Sequence, residues 1–165
     1  MEWIKQIVRY LIIMCIQVLL IGNLQLWGMC HPYLYVMCLL IMPITLPMWT
    51  DMLIGMVIGF IMDSFTNSPG VHMAACILIM YLRRIIIPQF VFEAARIHGE
   101  ISSLTIGQIN FIKYTIILTI IHHSMVLILS AWSLRHFWFT LCSIIISSII
   151  SISVFIGYDI VRNKQ

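Results

Sequence analysis

The sequence predicts an all-α fold, a polytopic integral membrane protein built as a bundle of about six transmembrane helices. Three observations carry this prediction. Of the 165 residues, 62% are apolar and 9% charged, with a mean hydropathy of +1.05, whereas a soluble domain carries roughly a quarter charged residues. A hydrocarbon core about 30 Å thick takes ~20 helical residues to cross, so the chain is long enough for five or six crossings joined by short connections. The tryptophans Trp3, Trp27, Trp49, Trp132 and Trp138 fall at the ends of apolar runs, as expected of indoles that favour the headgroup layer. What remains leaves no room for a separate catalytic domain, so residues 1–165 form one transmembrane domain.

The first helix is expected over 10–27, ended by Gly28 and the Cys30-His31-Pro32 stretch. Its basic start (Lys5, Arg9) suggests a signal peptide, but no small-x-small cleavage site follows, which favours a retained helix. A second helix, 33–49, is shortened or kinked by Pro43 and Pro47. Thr50-Asp51 separates it from a third, 52–65. The cluster Thr66-Asn67-Ser68-Pro69-Gly70 then turns the chain into a fourth, 71–87, making a hairpin. Pro88 opens a polar interlude, 88–110, containing Glu93, Arg96, His98 and Glu100, which suits the cytoplasmic membrane surface. The fifth helix is expected over 111–132, and Ser133-Leu134-Arg135-His136 turns into a sixth, 137–158.

Six spans place both termini on one side. If that side is cytoplasmic, it gathers Lys5, Arg9, Arg83, Arg84, Arg96, Lys113, Arg162 and Lys164 against Arg135 alone outside, the asymmetry of the positive-inside rule. No basic cluster exceeds the pair Arg83-Arg84, which argues against nucleic-acid binding. The five cysteines stand apart without metal or redox spacing, so no metal or cofactor is expected.

Gly55, Gly59 and Asp63 recur every four residues and share one helix face, Gly55 and Gly59 forming a GxxxG surface. Small residues let helices approach closely, either inside the bundle or against a partner. Asp63 is costly near a helix end unless it finds a partner. His72, across the hairpin turn, is the candidate for a structural hydrogen bond, and a proton relay through the pair is the sharper alternative. Asp51 at the other end of the same helix faces the level of Arg83 and Arg84, where an ion pair would hold two helices in register. His122 and His123 fall mid-helix about 100° apart, so one is expected to face the interior and a shared metal is disfavoured. Ser143, Ser147 and Ser151 repeat every four residues as a packing stripe. No serine has an evident histidine and acid at one depth, so no catalytic residue is assigned.

Taken together, Gln17, His31-Pro32-Tyr33-Leu34-Tyr35, Leu40-Ile41-Met42-Pro43, the run from Gly55 to Phe65, Gly70-Val71-His72-Met73-Ala74-Ala75, Tyr81-Leu82-Arg83, Lys113-Tyr114 and His122-His123 resemble the rod shape-determining protein MreD in its Bacteroidetes form. The resemblance covers most of residues 10–130. It departs at Leu129-Ser130-Ala131-Trp132, where the family often carries an acid. It implies a non-enzymatic scaffold in the bacterial cytoplasmic membrane that binds MreC. Through that complex it would meet MreB, RodA and its partner transpeptidase in lateral peptidoglycan synthesis. The rival expectation is the substrate-binding subunit of a vitamin importer, which the family resembles in general shape. Its pocket would draw on Gln17, Asn23, Gln25, Asp63 and His72.

Overall fold

The hairpin Thr66-Asn67-Ser68-Pro69-Gly70 shows how local chemistry sets the fold. Asn67 ends the preceding helix in the left-handed region (φ 54°), its N–H and that of Ser68 returning to the Asp63 carbonyl. Pro69 cannot continue a helix, and Gly70 takes φ 84° to reverse the chain. The structure, a computed structural model, describes residues 2–21, 30–43, 45–90, 100–131 and 137–163. Trp27, Trp132, Asn23, Gln25, Glu93, Arg96, His98, Arg135 and Lys164 lie outside these residues, as do the side chains of Trp3 and Lys5.

The described helices are α1 (Glu2–Ile16), continued by a π-helical turn (Gln17–Ile21), then α2 (Val36–Ile41), α3 (Met48–Thr66), α4 (Val71–Phe90), α5 (Ser103–Ile106), α6 (Gln108–Ser130) and α7 (Phe137–Arg162). The fold is an all-α membrane bundle, but among the described residues four helices, α3, α4, α6 and α7, are long and apolar enough to cross a membrane, rather than the six expected. They pack in sequence, α3 on α4, α4 on α6 and α6 on α7. Their outward faces expose Phe60, Phe65, Ile120, Ile128, Ile149 and Ile160, as suits a surface solvated by lipid tails.

Two of the expected spans account for the difference. The expected helix 33–49 is reduced to six helical residues, Val36–Ile41, because Met42 leaves the helix as extended backbone (ψ 141°) ahead of Pro43. Pro47 is not its end but the N-cap of α3, so Trp49 and Asp51 belong to the first turn of α3. The first helix begins at Glu2, well before residue 10, and includes Arg9; its apolar part, Gln6–Leu19, is the shorter kind. Pro88 lies inside α4 instead of ending it. α7 extends to Arg162, beyond 158.

All six residues of α2 are buried at the centre of the core, with Tyr35, Ile79, Met80, Tyr114 and Leu118 around it. At one end of the bundle, Glu100 binds Arg9, Tyr10 (2.9 Å) and Arg162 (3.0 Å), and Arg162 also binds Asp159 (2.8 Å). This polar knot joins the middle of α1 to the end of α7.

Candidate functional site

The centre of the molecule is the non-helical segment 30–35 together with α2. Inside a membrane bundle, irregular backbone is tolerated only where protein or water satisfies it. Three backbone groups of this segment find side-chain partners, two in the π turn and one in α7. Gln17, in the π turn, spans two of them, its amide nitrogen donating to the Pro32 carbonyl (3.2 Å) and its oxygen accepting the Leu34 N–H (2.6 Å). The His31 N–H donates to Ser147 Oγ (2.9 Å).

The other end of α2 is closed as completely. The last four carbonyls of a helix have no partner within it. Here Leu39 accepts from Arg83 (2.6 Å), Leu40 from the Tyr114 hydroxyl (2.8 Å), Ile41 from the Ile101 N–H (3.0 Å) and Met42 from Arg83. Arg83 is fully buried. Its charge is met by the negative end of a short helix instead of a carboxylate. The expected ion pair with Asp51 is therefore formed by Arg84 alone (2.9 Å), while Arg83 turns inward.

Tyr35 forms the second focus. Its hydroxyl lies 2.8 Å from His72 Nδ1 on α4 and 2.8 Å from His122 Nε2 on α6. The Tyr33 ring rests against His72, His122 and His123 with centroids 5.2, 5.8 and 5.1 Å away. Both His122 and His123 are fully buried, where one was expected to face the interior. Their 100° offset sends them to different neighbours, His122 to Tyr35 and His123 to α7. The Thr119 carbonyl can only accept, so it takes the His123 Nδ1 proton (2.9 Å) and leaves Nε2 to accept the Ser151 hydroxyl (3.1 Å).

That contact brings together a serine and a histidine that sequence reasoning kept apart. It lacks the rest of an acyl-transfer site. Ser151 lies in mid-helix, where neighbouring N–H groups are committed to the helix and cannot stabilise an oxyanion. The pair instead ties α6 to α7. Ser143 and Ser147 are buried on the same stripe.

Asp63 binds the beginning of α4, but through its backbone. Its carboxylate accepts from the N–H groups of His72 (2.8 Å) and Met73 (3.0 Å) and from the Ser68 hydroxyl (3.1 Å). The expected contact with the His72 ring is replaced by a cap on the helix terminus, where negative charge is favoured. Gly55 and Gly59 face α4 directly: a Cβ on Gly59 would stand 2.4 Å from Met73 Cα, and one on Gly55 2.7 Å from Met80 Cγ. The GxxxG surface is filled by the protein's own helix. Tyr33, Tyr35 and Tyr114 carry no assigned role in the sequence reading, and Gln17 enters it only through the importer pocket, not as a brace of segment 30–35. Gln17 and Tyr35 carried one signal, hydrogen-bonding side chains amid apolar runs. Among the described residues no group of three or more His, Cys, Asp or Glu is placed to hold a metal ion. No family model, curated protein or solved structure matches this chain.

Proposed function

We propose that the protein is a non-catalytic membrane scaffold of the MreD kind, binding MreC in the bacterial cytoplasmic membrane and helping to organise lateral peptidoglycan synthesis. One observation supports this reading best. The residues that carry the resemblance are scattered from Gln17 to His123, yet Gln17, Tyr35, His72, Arg83, Tyr114 and His122 gather around segment 30–35 and α2, and Gly55, Gly59 and Asp63 hold the adjoining α3–α4 seam. Residues so placed support a resemblance that extends over the fold more than one confined to a single motif. Gln17, Gly55, Gly59, Asp63, Arg83 and Tyr114 play holding roles: capping, bracing and close packing.

With Gly55 and Gly59 occupied by α4, a partner helix would dock on the outward faces. Contact with MreB, RodA and its transpeptidase would then run through the complex with MreC. The test is a pull-down of a tagged copy from its native membranes in gentle detergent, with co-purifying proteins identified by mass spectrometry. MreC-like and cell-wall synthase proteins are expected. Recovery of ATP-binding-cassette ATPases with a second membrane subunit would overturn the scaffold.

The rival, a substrate-binding subunit of a small-molecule importer, draws on the broken segment 30–35, since transporters place ligands at discontinuous helices near the membrane midplane. Here the backbone groups at Pro32, Leu34, Leu39, Leu40 and Met42 are already engaged by side chains. Saturable binding of a vitamin-like ligand, abolished by Asp63→Ala, would favour the importer.

A further inference from the structure

We propose that His72, Tyr35 and His122 form a proton relay that carries a proton from the hairpin end of the bundle to its centre. The inference stands on geometry and is independent of the scaffold reading. A tyrosine hydroxyl has one proton, yet this one makes two hydrogen bonds of 2.8 Å to ring nitrogens. One ring must therefore donate to the oxygen while the other accepts from it. The arrangement is asymmetric and can be reversed by moving protons along the bonds.

A second observation marks the far end. His122 Nδ1 is fully enclosed and has no partner, and the hydroxyls of Thr119 and Thr115 are likewise buried and unpartnered. Residues 115, 119 and 122 recur at four- and three-residue spacing, so they share one face of α6. Three unsatisfied polar groups in one row are expensive in an apolar interior and point to a hydrated or protonated path. At the near end, His72 Nε2 makes no hydrogen bond within the described residues and is not among the enclosed atoms.

The proton balance is complete. A proton arriving at His72 Nε2 makes that ring cationic, and the ring passes its Nδ1 proton to the Tyr35 oxygen. Tyr35 releases its own proton to His122 Nε2. His122, now protonated on both nitrogens, holds the proton or gives its Nδ1 proton to a water molecule in the polar row of Thr119 and Thr115, since among the described residues no protein acceptor stands within hydrogen-bond reach of Nδ1. Tyr35 ends neutral, with one proton gained and one lost. The groups facing the relay are Asp63 from α3, Cys76 from α4, Tyr33 from the broken segment and His123 from α6. The hydrogen bonds of the relay end at His122. The relay therefore serves the centre of the bundle from one side.

The test uses the full chain, 15N-labelled at histidine, in lipid vesicles, with exchange of the ring N–H protons into heavy water followed by solid-state NMR. The expected result is that His122 exchanges in the wild-type chain despite its complete burial, and that Tyr35→Phe leaves His72 exchanging but protects His122. His72→Gln, which removes the entry point, should protect His122 in the same way. A protected His122 ring in the wild-type chain overturns the relay, and so does exchange that is equally fast in a folded Tyr35→Phe chain. The wild-type result decides even where both variants fail to fold.

Discussion

Replacing Gly59 by alanine adds one methyl group, and its cost can be worked out from the α3–α4 seam. The new Cβ would stand 2.4 Å from Met73 Cα and 2.7 Å from both Met73 N and His72 O. All three are backbone atoms, so no side chain can swing aside. Restoring ordinary contact requires the helices to part by about 1 Å, which weakens dispersion along the seam. The same shift pulls on the bonds from Asp63 to the His72 and Met73 N–H groups. Overpacking of this kind costs ~1–3 kcal/mol, occasionally more, and the helix preference of alanine returns ~1 kcal/mol. A net loss of ~2 kcal/mol is expected, at the upper end because backbone must move. Gly55→Ala should cost less, since its closest contact at 2.7 Å is the flexible Met80 side chain, although Cys76 O stands at 3.0 Å. Gly157→Ala, with nothing within 4 Å, should be neutral or stabilising. Reversible unfolding in mixed detergent micelles gives all three values. If Gly59→Ala proves as stable as Gly157→Ala, the close approach of α3 and α4 is wrong.

Three further perturbations test the network around α2 and the ends of the bundle. Arg83→Met deprives the Leu39 and Met42 carbonyls of their donor and should cost ~2–4 kcal/mol in the same unfolding assay; an unchanged midpoint would show that these carbonyls find other donors. Asp63→Ala removes the cap of α4 and should cost ~1–2 kcal/mol, with faster amide hydrogen exchange at His72 and Met73; unchanged exchange there would refute the cap. Glu100→Gln should cost ~1 kcal/mol at low ionic strength, and the difference from wild type should shrink as salt is added. A salt-independent difference would mean that the knot with Arg9 and Arg162 acts through packing.

The parts of the fold that were legible in the sequence are those governed by local chemistry. Composition and run length identify a membrane protein, and the Asn-Ser-Pro-Gly turn fixes the α3–α4 hairpin because each residue there has a specific backbone preference. Helix count was not legible. Hydropathy cannot distinguish a span from a buried segment, and Tyr35 to Ile41 is as apolar as any crossing, yet it forms a short helix enclosed by protein. Arg83 was read as an interfacial cation beside Arg84 because adjacent charges look equivalent in sequence. Their 100° separation on α4 decides the matter, sending Arg84 to Asp51 and Arg83 to the carbonyls of α2. The use of the Tyr114 hydroxyl was not legible, because an aromatic residue in an apolar run does not show which backbone group its hydroxyl will meet.

The break in the chain after Tyr33 explains why so many polar residues occur in so apolar a bundle. A continuous helix satisfies its own backbone, but six helical residues between irregular stretches leave carbonyls and N–H groups that lipid cannot serve. Gln17 from the π turn, Arg83 from α4, Tyr114 from α6, the Ile101 N–H from the segment before α5 and Ser147 from α7 reach them. Each of the polar side chains among them would be a liability alone, and Arg83 would be prohibitive. Together they make α2 a keystone whose position depends on every surrounding helix, and whose removal leaves each of them with a buried polar group. The prediction that follows is cooperative loss. Arg83→Met and Tyr114→Phe act on adjacent carbonyls of one helix end, so their combined effect should differ from the sum of the single losses by at least ~0.5 kcal/mol, as for groups in one network. Additive losses would mean that α2 is held by independent contacts.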